Sequence, residues 1–150
     1  MEIELGCESE VNCSTCYASD IGNLVSSDFN ITHHNIRSFS ANYDGFETLF
    51  GDSFSKLSIC VFTETWFNSE TCVSIDGFSS YHAFRKNKRG GGVSIYVRDK
   101  YKSRKFHNIS YIKPHIETCI VEISISRDFF WLLWVYIVHL IVILWTFLKL

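Results

Sequence analysis

The sequence predicts an α/β fold, a layered sheet with a crossover helix, and three observations carry the prediction. A short run at 29–35 and a nearly continuous apolar run at 57–63 (LSICVFT) flank a stretch with helical spacing. Glycine-punctuated short runs follow them. A strand, a helix and a second strand apolar on both faces make the parallel βαβ unit of such a sheet.

Each element has its own reason. Residues 29–35 are β-branched in part and end in polar residues, as a strand running into a loop does. Asn42 or Asp44 is placed to cap a helix whose apolar residues Phe46, Leu49, Phe50 and Phe54 fall at helical spacing, with Gly51 and Ser53 at its frayed end. After Trp66 the candidate strands shorten to 80–84, 93–97 and 117–125, separated by Gly77 and by Gly90, Gly91 and Gly92, and they read as antiparallel hairpins. Pro114, the one proline, falls in a connection where its missing donor does no harm.

Residues 129–150 (FFWLLWVYIVHLIVILWTFLKL) are interrupted only by His139, Thr146 and Lys149. As one helix they rise roughly 33 Å at about 1.5 Å per residue, enough for a hydrocarbon core of about 30 Å. The expectation is a C-terminal hydrophobic helix, transmembrane-like, with Trp131, Trp134 and Trp145 towards its ends and Lys149 able to snorkel.

A chain of 150 residues has room for one domain with a core and little more. Its formal charge of −2 sums unlike parts. Residues 1–28 hold six acids and no Lys or Arg, show no period of 2 or 3.6, and read as a disordered acidic leader. Between Arg85 and Lys105 stand nine Lys or Arg against one acid, Asp99. That field attracts a polyanion such as a nucleic acid backbone, or is an ordinary solvated surface. Cys7, Cys13, Cys16, Cys60, Cys72 and Cys119 follow no disulfide framework, and the first residues lack a secretory signal, so reduced thiols in the cytosol or nucleus are expected. Cys13 and Cys16 form a CxxC with no second pair nearby, which leaves zinc a weak reading beside incidental thiols.

The chemistry centres on Asn35 and Glu64. Asn35 stands where the first strand ends and Glu64 just past the end of the second, so a parallel pair presents both at one sheet edge. Ligands of open α/β sheets collect there, and a carboxylate beside an amide suits a hard cation such as Mg²⁺. The alternative is that Asn35 closes a turn and Glu64 is a surface acid.

Three strings occur in order: HHNIRS at His33 to Ser38, TETW at Thr63 to Trp66, and RKNKRGGGVSIYV at Arg85 to Val97. With them the chain resembles the endonuclease/exonuclease/phosphatase superfamily, in particular the apurinic-endonuclease-like domain of jockey-type non-LTR retrotransposons. The resemblance implies a Mg²⁺-dependent DNA endonuclease that hydrolyses a phosphodiester and leaves a 3′-hydroxyl to prime reverse transcription. It assigns Glu64 to the metal and Asn35 to the metal and scissile phosphate, both catalytic, with Arg37 and Ser38 at the rim. Arg85, Lys88, Arg89, Gly90 and Gly91 match a segment near the DNA-binding face, although the glycines also suit a flexible hairpin.

The resemblance covers about residues 29–127, the first half of such a domain, and implies a partial α/β sandwich at 29–128. The strings that supply the base and the acid, a YxPP-like tyrosine, a GDxN-like pair and a terminal aspartate and histidine, have no match here, so an inactive remnant with one uncovered sheet face is expected. The tail fits a frameshift: from Tyr136, the last base of each codon with the first two of the next permits Tyr-Arg-Pro-Pro-Asn, the string that follows in the family. A second reading of another class stands beside it, a tail-anchored single-pass membrane protein whose small soluble domain binds a partner. Localisation divides accordingly, membrane if 129–150 inserts and nuclear or cytoplasmic for the parent domain.

Overall fold

A computed structural model of the chain describes residues 29–85, 90–106, 112–113, 116–125, 129–137 and 141–148. The leader at 1–28, with its CxxC, and Lys88 and Arg89 lie outside them. The chain runs β1 (Ile31–Asn35), α1 (Phe39–Phe50), a 3₁₀ turn (Gly51–Lys56), β2 (Ile59–Thr63), β3 (Phe78–Ala83) and β4 (Val93–Arg98). It continues through β5 (Lys102–Lys105), β6 (Ile112–Lys113), β7 (Ile116–Ser124), β8 (Phe129–Ile137) and β9 (Ile141–Leu148).

The first sheet has the order β1-β2-β4-β3, with β1 parallel to β2 and the other pairs antiparallel. The βαβ unit and the hairpin expected from the sequence are thus both present. β2 is buried along its whole length, as its unbroken apolar run requires. One face of the sheet presents Ile59, Val61, Val93, Ile95 and Val97 to Cys119, Val121 and Ile123 of β7. The other presents Cys60, Phe62 and Tyr96 to Phe39 and Phe46 of α1. Helix, first sheet and second sheet therefore form three layers.

Phe39 is the hub of the helix layer. Its ring lies 5.1 Å from Phe62, 5.0 Å from Phe67 and 4.7 Å from Tyr43, and it is 1% exposed. This contact sets the helix start. α1 begins at Phe39 with Ser38 at the N-cap, and neither Asn42 nor Asp44 caps it. Asn42 instead lies within the first turn, and its side-chain amide donates to the carbonyls of Ile36, Arg37 and Ser38, tying the loop after β1 to the helix.

Two expectations are corrected here. The single hydrophobic helix expected over 129–150 is not shown: among the described residues β8 and β9 pair antiparallel, with Leu133 opposite Leu144, and β8 pairs with β7. Among the described residues no helix is long and apolar enough to cross a membrane. A continuous apolar run has no period to separate helix from strand, whereas the β-branched and aromatic content of FFWLLWVYI and IVILWTFL favours strands. The second correction concerns the uncovered face. A second sheet of order β5-β7-β8-β9, with β6 also on β7, lies over the first, so the tail extends a layer that the half-domain reading expected to be missing.

Candidate functional site

Asn35 and Thr63 are partners in the parallel register, and Glu64 follows directly, so the two expected residues do share the carboxyl edge of the first sheet. The loops after β1 and β2 are bonded to each other: Ile36, Ser38 and Phe39 donate backbone N–H groups to the carbonyls of Thr63, Glu64 and Thr65 at 3.0, 2.8 and 3.0 Å. Both loops carry left-handed backbone. Among the described residues the non-glycine positions with positive φ are Arg37 (43°), Ser38 (87°), Glu64 (57°) and Trp66 (59°), all within these two loops. Side-chain-bearing residues hold such angles only where surrounding contacts enforce them, and strain of this kind clusters at functional sites.

Glu64 is half-buried. Its Oε2 accepts the Gly91 backbone N–H at 3.1 Å and the Trp66 indole N–H at 3.1 Å. Both bonds fall on one oxygen. Among the described residues the other, Oε1, takes no hydrogen bond, and Asn35, exposed, ends the neighbouring strand opposite Thr63. One carboxylate oxygen and one amide oxygen are the hard donors that Mg²⁺ accepts while keeping most of its water, so these residues fit a weakly held hydrated cation. No larger cluster helps: among the described residues no three His, Cys, Asp or Glu converge.

The third expected segment meets this edge. Gly91 and Gly92 have φ of 74° and 92°, and their carbonyls accept the N–H groups of Trp66 at 2.9 Å and Thr65 at 3.3 Å. A Cβ on Gly92 would stand 2.7 Å from Thr65 Oγ1, so the loops touch backbone to backbone. Gly90 lies beside Trp66 at φ 93°, and Arg37 is exposed at the rim.

Arg85, which the resemblance puts near the DNA-binding face, forms an ion pair through its guanidinium with Glu117 of β7. Other cations of the basic stretch are similarly engaged within the fold. Arg98 donates to the carbonyls of Leu57, Phe54 and Ser55 and lies 4.0 Å from the centre of the Phe78 ring. Arg104 pairs with Glu122, and Lys105 donates to the His82 carbonyl. The excess of positive charge in the sequence is therefore partly spent on internal partners rather than presented as a field.

Glu117 is the residue that sequence reasoning missed. It is 1% exposed, accepts the Gly92 N–H and holds Arg85. The signal was its parity: Cys119, Val121 and Ile123 face the first sheet, and two residues back from Cys119 the same face carries Glu117. Cys60 and Cys119 are free thiols inside the core, where burial pushes both up to about 12 and leaves them neutral. Compared with known proteins, the chain matches no family model and no curated protein.

Proposed function

We propose that this chain is the metal-binding half of a Mg²⁺-dependent DNA endonuclease domain of retrotransposon origin, inactive by itself. The observation that carries the reading is the meeting of HHNIRS, TETW and the glycine run at one sheet edge, where Asn35 ends β1 and Glu64 follows the end of β2. Strings far apart in sequence meet at the carboxyl edge of the strands, where ligands of open α/β sheets collect. A hydrated Mg²⁺ held there would stabilise charge on the phosphoryl oxygens. Glu64 would supply Oε1, its carboxylate being held through Oε2 by Gly91 and Trp66, and Asn35 its amide beside the scissile phosphate. Arg37 at the rim and Gly90 and Gly91 along the loop are suited to the sugar-phosphate backbone, together with Lys88 and Arg89 of the same string.

What the constellation lacks sets the level of activity. The strings that supply the base for water and the acid for the leaving oxygen in the family have no match in this sequence, and one carboxylate cannot serve as metal ligand and base together. The test is plasmid nicking. The purified chain should leave supercoiled DNA intact in Mg²⁺, and a chimera joining residues 29–128 to the second half of a jockey-type domain should nick it until Glu64→Ala is introduced. Mg²⁺-dependent nicking by the unmodified chain, abolished in Glu64→Ala, would overturn the inactive half of the reading. A folded chimera whose nicking survives Glu64→Ala would overturn the assignment of Glu64.

A further inference from the structure

Two carboxylates from different sheets take hold of consecutive amides in one loop. Gly91 donates its N–H to Glu64 Oε2, and Gly92 donates its N–H to Glu117 Oε2. The geometry points to Glu117 as a positioning residue for Glu64: from the second sheet it fixes the glycine loop whose next amide orients the metal-site carboxylate. The inference rests on the reading of Glu64 as the Mg²⁺ ligand.

Glu117 is an unusual residue for its place on β7. A carboxylate that is 1% exposed, on the strand face whose other members are Cys119, Val121 and Ile123, is a poor device for stability alone, because apolar replacements of buried ion pairs are often as stable or more so. An apolar side chain there would fill the layer equally well and bind no amide. What the carboxylate adds is directional: it accepts from Gly92 while Arg85 neutralises it. Gly91 then lies directly on the ion pair. A Cβ at that position would fall on the Glu117 carboxylate and within 2.9 Å of Arg85 Nε. On its other side the glycine pair accepts the N–H groups of Thr65 and Trp66, the two residues that follow the strained Glu64. The loop is therefore clamped between Glu117 and the segment carrying Glu64, and the Gly91 N–H is left pointing at Oε2. Groups that orient metal ligands from behind commonly change metal affinity by about 10- to 100-fold when removed.

The experiment uses the full chain, with Mn²⁺ alone as the probe and the Gly91 amide resonance as a second readout that needs no metal. Glu64→Ala removes the acceptor and defines the direction in which the Gly91 amide moves when its bond is lost. Glu117→Leu should move that resonance the same way and weaken Mn²⁺ binding about tenfold, although it touches neither Gly91 N–H nor Glu64. Glu117→Gln, still able to accept from Gly92, should leave both near those of the unaltered chain. A folded Glu117→Leu chain with an unmoved Gly91 amide and unchanged Mn²⁺ affinity would overturn the inference, reducing Glu117 to a structural brace. Should Glu117→Leu fail to fold, Arg85→Met carries the test. Without its partner the carboxylate turns out of the apolar layer and releases Gly92, so an unmoved Gly91 amide there would equally overturn it. Unchanged Mn²⁺ affinity in Glu64→Ala would sink the metal reading, while the Gly91 resonance in Glu117→Leu still decides the role of Glu117.

Discussion

Gly91 donates its backbone N–H to Glu64 Oε2 at 3.1 Å, and it does so from a left-handed conformation at φ 74° with the Glu117 carboxylate directly beneath its Cα. Any side chain at this position meets both an unfavourable backbone angle and an occupied space. Gly91→Ala should therefore cost about 1–3 kcal/mol of stability. Gly45 provides the contrast, since it lies inside α1 with nothing within 4 Å of a Cβ. Gly45→Ala should stabilise the chain by about 0.5–1 kcal/mol, because alanine loses less backbone freedom on folding. Denaturant unfolding of the two variants, expected to move in opposite directions, checks the pair.

Phe39 joins α1 to the first sheet through an edge contact with Phe62 and a stacked one with Tyr96, and its ring also meets Tyr43 and Phe67. Phe39→Ala should lower stability by about 3–5 kcal/mol, the range for a buried aromatic whose site collapses only in part. Thermal unfolding of the full chain measures it. A loss below about 1 kcal/mol would mean that the helix is not packed as described.

His82 sits on β3 with Nδ1 2.9 Å from Ser94 Oγ, and burial, with the Lys105 charge second, lowers its pKa from 6.5 to about 4. The folded chain keeps the imidazole neutral where the unfolded chain takes up a proton. Stability from this group is thus full above about 6.5 and is lost as pH falls through the window down to about 4. His82→Gln, which preserves a partner for Ser94, should flatten the stability profile between those two values. An unchanged profile would show that His82 titrates normally.

Much of the first sheet was legible in the sequence because local pattern and long-range pairing agree there. The run at 57–63 is apolar on both faces because both faces are covered, and Asn35 and Glu64 fall at one edge because parallel strands must end together. The helix start was misplaced because Asn42 has a capping side chain, and only the burial of Phe39 against Phe62 and Tyr96 reveals the earlier turn. β5, KSRK, was missed since its residues carry no apolar alternation, its place being set by Arg104 meeting Glu122 and by the register with β7. Glu117 was missed for a related reason: an acid inside a strand pattern reads as solvent-facing until parity places it with Cys119.

In the tail the sequence reading and the structure part, and the two alternatives differ by a measurable distance. Leu133 and Leu144 are opposite each other in β8 and β9. Backbones paired in this way approach to about 5 Å, whereas eleven residues along one helix span roughly 16 Å. Nitroxides on Leu133→Cys and Leu144→Cys, in a chain whose other cysteines are replaced, should show the short separation. The longer one would restore the single helix.

The account as a whole depends on Glu64 being a metal ligand, and a titration with Mn²⁺ followed by water-proton relaxation tests that most directly. The full chain should bind weakly and at one site, in keeping with two protein donors and a mostly aqueous ion, and Glu64→Ala should weaken binding at least about tenfold while the fold is retained. Equal Mn²⁺ affinity in the folded Glu64→Ala chain and the unaltered one would contradict the account.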